Sequence, residues 1–167
     1  MLEEILTGGF AELGLAADEE ALARYRTYYE RLSEVNKVMN LTAISGEEDT
    51  ARLHFLDCAA LLTALDLRGK RVIDVGTGAG FPGLAVKVAC PDMDLTLLDS
   101  LDKRIGFLRE TCAALGFDDV AYIHARAEDA PAELREGFDA ALSRAVARLN
   151  VLCELCLPFV KTGGLFA

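Results

Sequence analysis

The chain has 167 residues, 52% of them hydrophobic and 26% charged, with 14 Gly and 4 Pro, which suits one domain with a real core and excludes a disordered chain. No apolar run reaches the roughly 18 residues of a membrane span, and the acidic residues 1–6 lack the basic region of a secretion signal, so no membrane association and a cytoplasmic location are expected. The formal net charge of -10 speaks against indiscriminate nucleic-acid binding, although the acidic excess is concentrated in residues 1–68.

Residues 1–68 read as helices, an N-terminal extension ahead of an α/β core over residues 69–167. Residues 19–38 carry Leu22, Tyr25, Tyr29, Leu32, Val35 and Val38 at helical spacing. Asn40-Leu41-Thr42 breaks that pattern. Ser45-Gly46 opens a second helical stretch with Leu53, Leu56, Ala60, Leu61 and Leu65 on one side. From Gly69 the rhythm changes. Residues 71–75 form a short apolar run ending in glycines, a buried strand feeding a loop. Residues 81–89 are helical, with Pro82 in the first turn. Residues 94–98 are a second strand ending at Asp99, and residues 102–115 a helix stopped by Gly116. Strands are expected at 120–124 and 138–143, then a helix to about Phe159, and a fifth strand from Gly164. This alternation predicts a mostly parallel sheet with right-handed crossovers and helices on both faces.

The cysteines are Cys58, Cys90, Cys112, Cys153 and Cys156, an odd number without a secretion signal, which argues against a disulfide framework. Cys153-Glu-Leu-Cys156 lies in an apolar helical stretch, and His54 and His124 offer no ligand spacing. The pair therefore reads as packing, and no metal is expected.

Asp74-Val-Gly-Thr-Gly-Ala-Gly-Phe-Pro-Gly83 carries the most information. Gly78, Gly80 and Gly83 satisfy the dinucleotide pattern G-x-G-x-x-G. Gly76, Gly78 and Gly80, preceded by Asp74, satisfy the D-x-G-x-G-x-G spacing of methyltransferases that use S-adenosyl-L-methionine. The strand end falls at Gly76, which favours the second reading. A carboxylate at Asp74 also suits a ligand carrying a sulfonium and an ammonium. Asp99, at the end of the second strand, suits ribose hydroxyls, or the N-cap region of the following helix.

Six motifs follow in order: Asn40-Leu-Thr42, His54-Phe-Leu-Asp57, Asp74 to Gly83, Leu97-Leu-Asp-Ser-Leu-Asp-Lys-Arg104, Arg126-Ala-Glu128 and Ser143-Arg-Ala145. Together they closely resemble the RsmG family, also called glucose-inhibited division protein B, over essentially the whole chain. The resemblance implies a Rossmann-like class I methyltransferase fold with S-adenosyl-L-methionine as cofactor. It implies methylation at N7 of one guanine, nucleotide 527, in 16S rRNA of the small ribosomal subunit. The cofactor contacts it implies, taken with the loop reading, are Asp74, Gly76, Gly78, Gly80, Phe81, Asp99, Ser100, Ala127, Glu128 and Arg144. The RNA-facing set is Lys103, Arg104, Arg126 and Arg144, with Arg126 and Arg144 as the catalytic pair and a monomer as the working unit. The family pattern runs on past Ala167 with a lysine-containing segment and a final strand pair, so the C-terminal strands of the fold are expected to be missing here.

Guanine N7 offers an unprotonated lone pair, so transfer needs alignment and electrostatics rather than a general base. Arginine can address the neighbouring O6 with a forked donor pair. The Asn/Asp-Pro-Pro-aromatic motif of amine methylation is absent after strand four, and the Cys90-Pro91 pair lies away from the expected site. Several readings stay open. Arg144 could instead form an ion pair with Asp139 or Glu128. His54 reads as a packing or hydrogen-bonding residue rather than an acid–base group. Phe81 could line the cofactor or belong to the core. A small-molecule methyltransferase, or a non-catalytic fragment that binds the cofactor, are the alternative functions.

Overall fold

The computed structural model describes residues 1–167 throughout. Five parallel strands form one sheet: β1 (Arg71–Val75), β2 (Asp94–Asp99), β3 (Ala121–His124), β4 (Phe138–Leu142) and β5 (Val160–Phe166), in the order β3-β2-β1-β4-β5. The chain runs outward from β1 to β3, then crosses back to β4 on the other side of β1. That reversal leaves a crevice at the carboxyl ends of β1 and β4, where open α/β sheets bind ligands.

The central strands are apolar because both faces are covered: Val72, Ile73, Leu95, Leu97, Ala140 and Ala141 are all buried. β5, at the sheet edge, begins at Val160 rather than at the expected Gly164. Its register against β4 shifts from Phe138↔Val160 to Ala140↔Leu165. Gly163 (φ 83) and Gly164 sit within this bulge, and a Cβ on Gly164 would come 2.6 Å from Asp139 O.

Three helices cross over between strands: α5 (Gly83–Ala89), α6 (Asp102–Ala114) and α7 (Leu149–Cys156). The helix expected from Phe81 starts at Gly83, after a cis Phe81-Pro82 peptide. Residues 143–148 form a loop ahead of α7, and a 3-10 turn, Leu157–Phe159, leads into β5.

Ahead of the sheet lie α1 (Leu2–Glu12) and α2 (Glu19–Met39). Asp18 caps α2 by accepting from Ala21 N at 2.8 Å, and Asn40 ends it in the left-handed region at φ 48. The next helical run is not uniform. It passes from α3 (Glu47–Thr50) through a π-helical segment, Ala51–Leu56, into α4 (Asp57–Ala59) and a 3-10 turn, Ala60–Thr63. The buried face is not the expected one: Ala51, His54, Phe55 and Cys58 turn inward, and Leu53 is 52% exposed.

A core of 32 buried residues joins Leu2, Leu6 and Phe10 of α1 and Tyr25 and Tyr28 of α2 to Leu84 of α5, Leu97 of β2 and Leu108 of α6. The N-terminal helices thus share the core of one sheet face. A second cluster, including Ile73, Val75, Phe138, Cys156 and Phe159, covers the other face. Cys156 packs there and Cys153 is half-buried. Lys87 is fully buried in α5, yet its Nζ donates to Pro91 O, Met93 O and Asp119 Oδ2, so all three of its protons are used.

Candidate active site

A cavity of about 540 Å³ opens at the carboxyl ends of β1, β2 and β4. Its floor is the glycine loop. Gly76 N and Thr77 N both donate to Leu98 O, and Gly80 N and Phe81 N both donate to Thr77 O, which winds the loop tightly. Gly76, Gly78 and Gly80 have φ of 71, 61 and 102, a region that strains any residue with a Cβ. A Cβ on Gly78 would meet no atom within 4 Å, so it would stand in the open cavity. A Cβ on Gly80 would collide with the hydroxyl of Tyr28, which donates to Ala79 O at 2.6 Å.

Asp99 is 2% exposed and lines the cavity. Its Oδ2 accepts from Gly78 N and its Oδ1 from Leu101 N, both at 2.9 Å, so it ties the loop to the start of α6. Arg104 Nη1 stands 3.6 Å from Oδ2. Asp74 is placed differently from the sequence expectation. It is fully buried and does not line the cavity. Its Oδ2 accepts from Thr77 Oγ1 and Gly83 N, both at 2.7 Å, while Oδ1 has no hydrogen-bond partner. Burial pushes this carboxyl up to about 6. The side chain points under the loop because Asp74 alternates with the cavity-side positions of β1; it braces the loop rather than facing a ligand.

Ser100, Arg126, Ala127 and Glu128 line the wall beyond β2 and β3, with Arg126 and Glu128 exposed. Arg104 lines the cavity as well. Its neighbour Lys103 is exposed and lies outside the lining; Gly80 of the loop also lies outside it and is buried.

The opposite wall is built from three separate stretches of sequence. His54, from the π segment, stacks on Phe81 with ring centroids 4.1 Å apart and planes within 5°. Phe81 also stacks on Tyr28 at 5.4 Å, so it is both a buried core ring and part of the cavity lining. Arg144 lies over Phe81 at 5.2 Å. Its Nη1 donates to Asp57 Oδ2 at 2.9 Å and to Leu53 O, and its Nη2 donates to His54 Nδ1 at 2.5 Å. The ion pair is with Asp57, not with Asp139 or Glu128. Asp139 faces the far end of the strands, where it accepts from Arg71 N and pairs with Lys161. Burial, and then the charge of Arg144, hold His54 down to about 4, so its ring is neutral. Ser143 Oγ donates to Val75 O, which pins the start of the loop to β1, and Ala145 follows at φ 58.

The profile of a family described as rRNA small subunit methyltransferase G matches residues 21–167. The chain belongs to this family. It is 50% identical to the ribosomal RNA small subunit methyltransferase G of Alkaliphilus metalliredigens over 165 residues, covering 97% of this chain and 69% of that one. It is 42% identical to the protein of the same name from Acetivibrio thermocellus over 99% of this chain and 69% of the relative. Among solved structures, it superposes on a Methanococcus maripaludis protein described as an S-adenosyl-L-methionine-dependent methyltransferase. The TM-score is 0.61 at 15% identity, with 81% of this chain and 59% of that one covered. It also superposes on M. jannaschii TYW2 in complex with AdoMet, with a TM-score of 0.50 at 17% identity, covering 57% and 42%. The fold is therefore that of the Rossmann-like methyltransferases, and the chain is a methyltransferase.

In this methyltransferase, the family motifs meet around one cavity. Thr42 of Asn40-Leu-Thr42 contacts His54, and both His54 and Asp57 of the second motif hold Arg144 of Ser143-Arg-Ala145. Reading residues one at a time missed the parts played by Thr42, Thr77 and Tyr28. The only signal for Thr42 and Thr77 is their place in the motifs Asn40-Leu-Thr42 and Asp74 to Gly83, and the Thr77 partner is the nearby Asp74. Tyr28 carried none, since the carbonyl of Ala79 is brought close to it by folding.

Proposed function

We propose that this methyltransferase transfers the methyl group of S-adenosyl-L-methionine to N7 of a guanine in small-subunit rRNA, nucleotide 527 by the family resemblance. The observation that carries the reading is a single cavity with two unlike walls. One is the glycine loop with Asp99; the other presents Arg144, and Arg126 stands at the rim. The names of the relatives point to ribosomal RNA as the acceptor.

The residues present fit the cofactor. The loop glycines leave the cavity clear where a Cβ at Gly78 would fill it, and acidic groups at Asp99 and Glu128 border the space. Gly76 to Ala79 would hold the methionine part, Asp99 and Ser100 the ribose, and Ala127 and Glu128 the adenine. The cofactor supplies an electrophilic methyl on a sulfonium. The chain's own contribution is alignment: Arg144 and Arg126 orient the guanine through O6 or its phosphates, and Lys103 and Arg104 add phosphate contacts. No side chain needs to remove a proton, and His54 Nδ1 is already committed to Arg144. The protein would act as a cytoplasmic monomer on the small subunit.

Calorimetry with S-adenosyl-L-homocysteine tests the cofactor half. Binding to the parent and a loss of about tenfold or more in Asp99→Ala support the reading, in line with the loss of one charge-assisted hydrogen bond. Unchanged affinity in Asp99→Ala contradicts it.

A further inference from the structure

Arg144 sits in the loop 143–148, outside any helix or strand, so its partners must hold its guanidinium in place. Three of its five N–H donors are engaged, by Leu53 O, Asp57 Oδ2 and His54 Nδ1. That leaves Nε–H and one Nη2–H without a protein acceptor. The Asp57 side chain is 59% exposed, so solvent screens its pull on Arg144. His54 is buried.

The contact fixes the tautomer of His54. Arg144 carries no acceptor, so Nδ1 must accept and the ring proton sits on Nε2. Nε2–H is donated to Thr42 Oγ1 at 2.9 Å. The same hydroxyl oxygen accepts from Ile44 N at 3.1 Å. Asn36 then clamps Thr42 from both sides: its Nδ2 donates to Thr42 O, and its Oδ1 accepts from Thr42 N, both at 2.9 Å. A continuous relay of directed bonds runs from α2 through residues 42–44 and the π segment to the cavity wall.

We propose that His54 is a positioning residue for methyl transfer: its imidazole, oriented by Thr42 and Asn36, fixes the Arg144 guanidinium so that the two remaining N–H donors face the acceptor nucleotide. The inference rests on the reading above that Arg144 addresses the acceptor. It assigns the N-terminal helices a part in the reaction, because the residues that aim Arg144 lie in residues 36–57.

Two variants separate the acceptor role of the ring from its bulk. His54→Phe keeps a ring against Phe81 but offers Arg144 no acceptor. His54→Asn places Oδ1 about where Nδ1 stood. We expect His54→Phe to lower kcat about tenfold or more, as for loss of a hydrogen bond to a charged group, with cofactor affinity unchanged, and His54→Asn to recover most of it. In an Arg144→Ala background, His54→Phe should cost nothing further, because its effect passes through Arg144. In the free protein, nitrogen NMR should show slow guanidinium rotation at Arg144 in the parent and fast rotation in His54→Phe. Rotation unchanged by His54→Phe, or an equal loss of rate with and without Arg144, overturns the proposal. An impaired Arg144→Ala beside an unimpaired His54→Phe overturns it alone. An Arg144→Ala variant as fast as the parent overturns the acceptor-facing reading of Arg144 and this inference with it.

Discussion

Gly83 N–H donates to Asp74 Oδ2 at 2.7 Å, and a Cβ on Gly83 would come 2.7 Å from the same oxygen. The first residue of α5 must therefore be glycine for the buried carboxylate to reach across the loop. Gly83→Ala should push Asp74 away, lower stability by about 1–3 kcal/mol as overpacking does, and weaken cofactor binding through the displaced loop. Urea unfolding and calorimetry measure the two effects. An alanine variant as stable as the parent would show that the loop accommodates the methyl.

Asp74 and His54 should impose opposite pH slopes on stability. Burial pushes the Asp74 carboxyl up to about 6 from 3.8. Between those values the folded state keeps a proton that the unfolded chain has lost. Stability therefore falls as pH rises from about 4 to about 6, by up to about 3 kcal/mol. His54 is held down to about 4 from 6.5. In that window the unfolded chain takes up a proton and the folded ring does not, so stability falls as pH drops. Asp74→Asn should remove the first slope and lose stability more steeply on acidification than the parent. His54→Phe should do the reverse. Denaturant unfolding from pH 4.5 to 7 reads both, and an Asp74→Asn profile parallel to the parent's would count against a protonated Asp74.

Tyr28 anchors the loop from outside the sheet. Its hydroxyl is fully buried and donates to Ala79 O at 2.6 Å. Tyr28→Phe leaves that carbonyl without its partner and should cost about 1–3 kcal/mol. Because Ala79 lies between Gly78 and Gly80, cofactor affinity should fall too, although Tyr28 does not line the cavity. Equal affinity in parent and variant would mean the loop holds its shape without the tyrosine.

The strands and the glycine loop were legible because their signals are local. A short run such as Arg71–Val75, with Val72, Ile73 and Val75 apolar and glycines after it, has few other solutions. The boundaries at Gly83 and Val160 were less legible, since a buried carboxylate sets the first and an edge bulge sets the second. The site was legible in its parts and not in its assembly. Arg144 and Asp57 are 87 positions apart, and no periodicity links them. Asp74 shows the limit most clearly. Its charge suggested a ligand contact, yet the alternation of β1 turns it under the loop, so the residue type was informative and the direction of its side chain was not.

The central claim is methyl transfer to guanine N7 in small-subunit RNA. The most direct measurement incubates the protein with small subunits and methyl-labelled S-adenosyl-L-methionine, digests the RNA with nuclease and identifies the labelled nucleoside by mass spectrometry. The account predicts label in 7-methylguanosine at one site and a marked loss in Arg144→Ala. Label in a different nucleoside, or only in small metabolites, would contradict it.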